Sequence, residues 1–164
     1  MAKFPPRGGG LRYTVEGPVE YIVRCHGSEC RRSYASLVGT GAIIDPELVS
    51  IDCGESQLTV FEKPPGVKRQ FCRSCGCSLF YFHFAYPSMI FYYPATLDGG
   101  AHPGPAVDRE HHIYVDSKAE WEAFNDGLPR DAEGWLSAEI SPVDRFDWRA
   151  GIHGSWPAEL EASR

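Results

Sequence analysis

The chain has no block of lysines and arginines: its basic residues come no closer to one than the pair Arg31–Arg32, and the net charge is -6. Nucleic acid is therefore not an expected partner, because binding it takes a basic face that neutralises phosphates. No apolar segment approaches the roughly 18 residues that cross a bilayer as a helix. The longest, such as Leu79–Phe82, are strand-sized, so no membrane partner is expected either. Met1–Arg7 has no apolar core and does not read as a secretory signal. Repeats and low-complexity stretches are also missing. A cytoplasmic location is the expectation, with a homodimer left open.

What is present suits one domain. The 164 residues are enough to bury a real core. With 17 glycines, 13 prolines and 13% aromatic residues, the composition favours short strands joined by turns. The expected fold is mainly β, with antiparallel sheets and one short helix near the C-terminal part. After a flexible lead-in over residues 1–10, strands are expected at Leu11–Val15, Val19–Arg24, Gly41–Ile44, Leu48–Asp52 and Leu58–Glu62. Further strands follow at Val67–Phe71, Leu79–Phe84 and Met89–Tyr93. Ser117 and Glu120 have capping-box spacing, which predicts a helix with Trp121 and Phe124 on one face, ended by Gly127 and Pro129. Beyond Arg130, the widely spaced Trp135, Phe146, Trp148 and Trp156 predict an irregular extension packed on the domain.

Six cysteines carry the chemistry: Cys25, Cys30, Cys53, Cys72, Cys75 and Cys77. In a reducing compartment, close spacing points to metal or thiol chemistry before disulfides. Cys72-Arg-Ser-Cys75-Gly76 makes a turn that aims two sulfurs at one point, with glycine allowing the chain to turn away. The plain alternative is a pair of inert core thiols. Cys25-His-Gly-Ser-Glu-Cys30 is a second, looser pair; His26 beside it is more often a hydrogen-bonding residue than a ligand. The pair either completes a four-cysteine site with Cys72 and Cys75 or forms a separate, open two-thiolate site.

Together these segments resemble the glutathione-dependent formaldehyde-activating family, which includes the centromere protein V domain. Its Cys-His-Cys-x-x-Cys-Arg-Arg motif is matched by Cys25-His26-Gly27-Ser28-Glu29-Cys30-Arg31-Arg32, and its Phe-Cys-x-x-Cys-Gly by Phe71–Gly76. Thr96-Leu97-Asp98, His112-Ile113, Ser117, Trp121 and Asp126–Pro129 extend the match, over about residues 9–129. The resemblance implies β-sheets around cysteine zinc knuckles in a domain spanning 11–129, with the extension 130–164 outside it. It implies carbon–sulfur bond making or breaking, and a small thiol partner such as glutathione or its adducts. It also implies a structural zinc and a catalytic zinc held by cysteines.

The departures are specific. Pro6 and Gly8 stand where the family has its N-terminal Cys-x-Cys, Gly27 replaces the middle cysteine of the first motif, and Cys77 takes a position usually held by a small hydroxyl residue. Either Cys25, Cys30, Cys72, Cys75 and Cys77 regroup around one zinc, the favoured expectation, or the metal is lost and the thiols stay neutral. Cys25, Cys30 and His112 are the candidate catalytic residues. Arg31 and Arg32 are candidates for holding a substrate carboxylate. The competing readings are a hydrogen-bonding role for His112 and a solvated charge pair for the arginines. A non-catalytic domain, or a metal-free enzyme with an apolar pocket reshaped around Phe91-Tyr92-Tyr93, remains the alternative to the lyase.

Overall fold

The structure is a computed structural model that describes residues 2–3, 10–63, 66–83, 89–102, 104 and 109–134. The described residues form eleven strands in two sheets. Strands β1 (Ala2–Lys3), β2 (Arg12–Val15) and β5 (Val49–Cys53) make a three-stranded antiparallel sheet in the order β1-β2-β5. The second sheet holds β3 (Tyr21–Cys25), β4 (Gly39–Ile44), β6 (Leu58–Lys63), β7 (Val67–Cys72), β8 (Ser78–His83), β9 (Ile90–Tyr92), β10 (Glu110–Ile113) and β11 (Arg130–Asp131). Its order is β11-β10-β3-β4-β9-β8-β7-β6. The pairings are antiparallel from β3 to β6, while β10 runs parallel to both β3 and β11.

The mainly-β expectation holds, and every expected strand is present within a residue or two of its expected limits. The expectations for Phe84 and for Trp135 to Arg164 lie outside the described residues, as do most of residues 1–10. Ala2–Lys3 nevertheless pairs with Val15 and Thr14.

Side chains alternate across each strand, so the large sheet has two different faces. One face carries Ile22, Ala42, Ile44, Phe80, Phe82, Tyr92 and Cys72. With Leu11, Tyr13, Val15 and Val49 of the smaller sheet and its approaches, it closes the main core. Tyr13 is fully buried there, edge-on to Phe80 at 5.0 Å between ring centroids. The opposite face carries a second cluster: Val23, Cys25, Ile43, Phe91 and Ile113, with Met89. The candidate site lies on this second face.

The helix prediction needs correction. Val115–Ser117 is a single 3-10 turn, and the chain then runs irregularly through Phe124. Tertiary contacts claim these residues one by one: the Glu122 carboxylate meets His26 at 2.9 Å and Phe124 packs on His26 and His112, while Trp121 is 78% exposed. The α-helix of the fold is α1, Ser28–Tyr34, in the segment read as a loop around Cys30. It is short, buries no residue completely and has no side-chain cap, so it lacks the usual markers. Its placement comes from Cys30 and Tyr34, which share one helix face at i and i+4 and rest on β4.

Candidate functional site

The cavity on the second face is made by side chains that are absent. Gly39 and Gly41 lie on one face of β4, opposite Cys25 and Val23 of β3. A Cβ on Gly39 would stand 3.0 Å from the Tyr34 ring and 3.3 Å from the Cys30 Cβ, so Cys30 and Tyr34 fill the space a side chain would need. Over this floor opens a cavity of about 190 Å³, lined by Cys25, Cys30, Tyr34, Tyr81, Phe91 and Ile113 among others. Tyr34 and Tyr93 meet hydroxyl to hydroxyl at its edge.

Two thiols share this cavity. Cys30 donates its S–H to the Cys25 sulfur, which holds the Cys25 thiol below its ordinary range despite burial. The same bond, with burial, pushes Cys30 up. Of the two, Cys25 is therefore the thiol that gives up its proton more readily. Arg69, on β7, adds positive charge nearby and favours the Cys25 thiolate. Its guanidinium lies 5.4 Å from the Tyr81 ring centroid and bonds Tyr34, while its Nε has no hydrogen-bond partner among the described residues. Burial raises the Tyr34 hydroxyl to about 12, so it remains a donor at neutral pH. Burial lowers His83, which favours its neutral form.

The second cysteine group is elsewhere. Cys72 ends β7 on the main-core face, whereas Cys25 belongs to the other cluster. Cys72 accepts N–H groups of Cys75 and Ser74; these outweigh burial and shift its thiol down. Gly76, at φ 71, returns its N–H to the Cys72 carbonyl at 2.7 Å. The knuckle expected from sequence therefore forms, with Cys75 exposed and Cys77 half-buried. Burial and the neighbouring Cys75 push the Cys77 thiol up. Cys53 is separate again, donating to the Gly10 carbonyl.

This corrects the regrouped zinc site. Cys25 and Cys30 cannot join Cys72, Cys75 and Cys77 across the sheet. Among the described residues no three His, Cys, Asp or Glu side chains gather in a metal-holding arrangement. The family is generally associated with zinc, but tetrahedral zinc wants four donors, or three with an open position. The cavity offers two. The residues present do not fit that ion, and no step below passes through it.

His112 sits on the other side of the pleat. In the parallel pairing Ile113 lies beside Cys25 and His112 beside Arg24, so His112 turns away from the cavity. Its Nδ1 meets Nε2 of His26 at 2.7 Å, and its Nε2 meets both Asp126 oxygens at 3.1 Å. His26, fully buried, reaches Glu122 through Nδ1. The four side chains thus form one unbroken chain, Glu122–His26–His112–Asp126. The result is a buried clamp tying the turn after Cys25 to residues 122–126. The bond from His112 is the main reason Asp126 is held below the usual carboxylate range.

Arg31 serves the same turn, donating to the carbonyls of His26 and Ser117. The Arg32 side chain is 79% exposed and lies 3.8 Å from Glu29. Neither arginine lines the cavity. The residues sequence reading missed are Arg69, Tyr34, Tyr81 and the two glycines. The signals were present: Gly39-Thr-Gly41 breaks an apolar strand on one face only, and Arg69 alternates with buried Gln70 in β7.

Comparison with known proteins gives the family. The pattern of the family described as "Glutathione-dependent formaldehyde-activating enzyme" matches residues 7–117. The chain belongs to that family. A crystal structure of a Rhodobacter sphaeroides protein, a structural genomics target, shares the fold at 24% identity and a TM-score of 0.50. That match covers 62% of this chain and 91% of the other. No curated protein matches the chain at a significant level.

Proposed function

We propose that this chain catalyses carbon–sulfur bond making and breaking between a small glutathione-type thiol and an aldehyde, using the Cys25–Cys30 pair in place of a metal. The observation that carries this reading is the pair itself: two hydrogen-bonded thiols, shifted in opposite directions, side by side in an aromatic cavity. In the making direction the Cys25 thiolate takes the proton of the incoming thiol. The substrate thiolate then adds to the carbonyl carbon, and Cys30 gives its proton to the alkoxide that forms. The proton now on Cys25 passes to Cys30 along their hydrogen bond, and the pair is restored. Such positioned acid–base catalysis contributes about 10²–10⁴-fold. Arg69 stands behind the cavity lining, bonded to Tyr34, and its charge reaches Cys25, which supports it as the cation for a substrate carboxylate; Arg31 then acts as a backbone tie and Arg32 as a solvated charge.

The test follows exchange of isotopically labelled formaldehyde with glutathione by NMR. Acceleration over buffer that Cys25→Ser abolishes is expected; a rate equal to buffer sinks the reading. Gly27 in place of a family cysteine favours a second reading, in which the cavity only binds the adduct. Saturable binding without acceleration would select it.

A further inference from the structure

We propose that Cys25 and Cys30 also form a reversible disulfide by exchange with small disulfides of the glutathione type, giving the cavity a second, redox activity. The geometry comes from β4. Cys25 is the cross-strand partner of Gly39, and such partners hold their Cβ positions about 4.5–5.5 Å apart. The Cys30 Cβ lies 3.3 Å from the place a Gly39 Cβ would take, so it enters the space beside Cys25 that a side chain would have closed. The two side chains also hydrogen-bond each other, which sets their sulfurs side by side; a disulfide would hold the Cβ atoms about 3.5–4.5 Å apart. Two features permit that approach. Gly27, between the cysteines, carries no side chain, and its own Cβ would stand 3.4 Å from the Cys25 sulfur. Helix α1 has no fully buried residue to anchor it.

Cys53 and Cys72 have other commitments. Cys53 donates to the Gly10 carbonyl, and Cys72 accepts the knuckle N–H groups within the main core. Cys25 and Cys30 both line the cavity and engage each other, with the Gly27 backbone also bonded to Cys25. Among the described residues no third donor joins them in a metal-holding group.

The exchange balances in two steps. The Cys25 thiolate attacks one sulfur of the small disulfide; a Cys25–S–S–R bond forms and RS⁻ leaves. Cys30 gives up its proton, which RS⁻ takes, and its thiolate attacks the Cys25 sulfur. The Cys25–Cys30 bond forms and the second RS⁻ leaves, taking a proton from water. The protein dithiol is oxidised by two electrons and the small disulfide is reduced to two thiols. An excess of small thiol runs the sequence backward.

The sequence makes the assay direct. Arg24 precedes Cys25 and Arg31 follows Cys30, so trypsin releases Cys25–Arg31 as one peptide holding both sulfurs. The full chain is equilibrated with graded mixtures of glutathione and glutathione disulfide, quenched in acid, alkylated, digested and weighed. The expected result is that this peptide loses two hydrogen masses and both alkylation sites at a lower disulfide fraction than oxidises Cys53 or Cys75. Cys30→Ser is expected to trap one glutathionyl group on Cys25. Absence of the internal disulfide at every ratio, or a Cys30→Ser protein glutathionylated at Cys53 and Cys75 but not at Cys25, overturns the proposal. The measurement contains no aldehyde and the exchange assay above contains no disulfide, so either reading can fail without the other.

Discussion

Replacing His112 by phenylalanine separates the clamp from the cavity. The phenyl ring keeps most of the volume packed against Phe124, 4.7 Å away between centroids, so the loss is mainly of hydrogen bonds. Two go: one to His26, which is fully buried, and one to Asp126, whose side chain is 37% exposed. Hydrogen bonds to charged groups contribute about 1.5–3 kcal/mol each. The Asp126 carboxylate regains water, which puts its share at the low end. His26 regains nothing, because its Nε2 then faces carbon in a buried site, and leaving a buried polar group unsatisfied costs about 1–3 kcal/mol. A net loss of about 2–4 kcal/mol follows, against a total stability of about 5–15 kcal/mol for a domain. At about 2–4 °C per kcal/mol for a chain of this size, the midpoint falls on the order of 10 °C. Thermal and urea denaturation measure this, and alkylation of Cys25 in the native state, well below the new midpoint, reports on the cavity. The reasoning requires a large midpoint shift with the native-state Cys25 rate unchanged. A shift under about 1 kcal/mol with a slowed Cys25 rate would mean that His112 serves the cavity and not the clamp.

Further outcomes follow from the same geometry. Gly39→Ala puts a methyl 3.0–3.3 Å from the Tyr34 ring and Cys30 Cβ; overpacking of this kind costs about 1–3 kcal/mol, and denaturant midpoints together with a faster Cys30 alkylation would register the displaced helix. Gly27→Cys supplies a third thiol next to Cys25, since its Cβ stands 3.4 Å from that sulfur; cobalt titration should then show a thiolate charge-transfer band that the unaltered cavity lacks, and no such band would mean the three sulfurs do not converge. Asp126 contributes stability that is present above the ordinary carboxylate value of 3.8 and lost as pH falls through its lowered folded value; Asp126→Asn should flatten that acid limb of a stability–pH curve, and an unchanged limb would refute the assignment. Trp121→Ala, at a residue 78% exposed, should move stability by less than about 0.5 kcal/mol, whereas a larger fall in the urea midpoint would restore the helical reading.

The strands were legible because each depends on local alternation and bounding turns, and Leu58–Glu62 or Val67–Phe71 needed nothing more. The knuckle was legible for the same reason, since Cys72 to Gly76 contains its own geometry. Helix α1 was not, because Cys30 and Tyr34 hold it through a vacancy in a strand that follows it in sequence. The Ser117 cap signal was overridden by long-range partners, with Glu122 drawn to His26 from 96 residues away. His112 was singled out from its motif. Which face it occupies depends on the register of β10 against β3, and a single residue of slip reverses the answer. The cysteine spacing likewise could not tell one regrouped site from two separate ones, because the sheet stands between them.

The parallel pairing of β10 with β3 also sets an order of events during synthesis. Cys25, Cys30 and their glycine floor belong to one short stretch, complete by Gly41 and joined by an antiparallel hairpin. The walls that cover them come later: Tyr81 and Phe91, then Ile113 and Tyr114. Non-local contacts of this kind form slowly because loop closure comes first. A growing chain therefore presents two bare thiols on a bare strand until the segments from Tyr81 to Tyr114 have been made. The reactive part of the molecule is made before the residues that cover it.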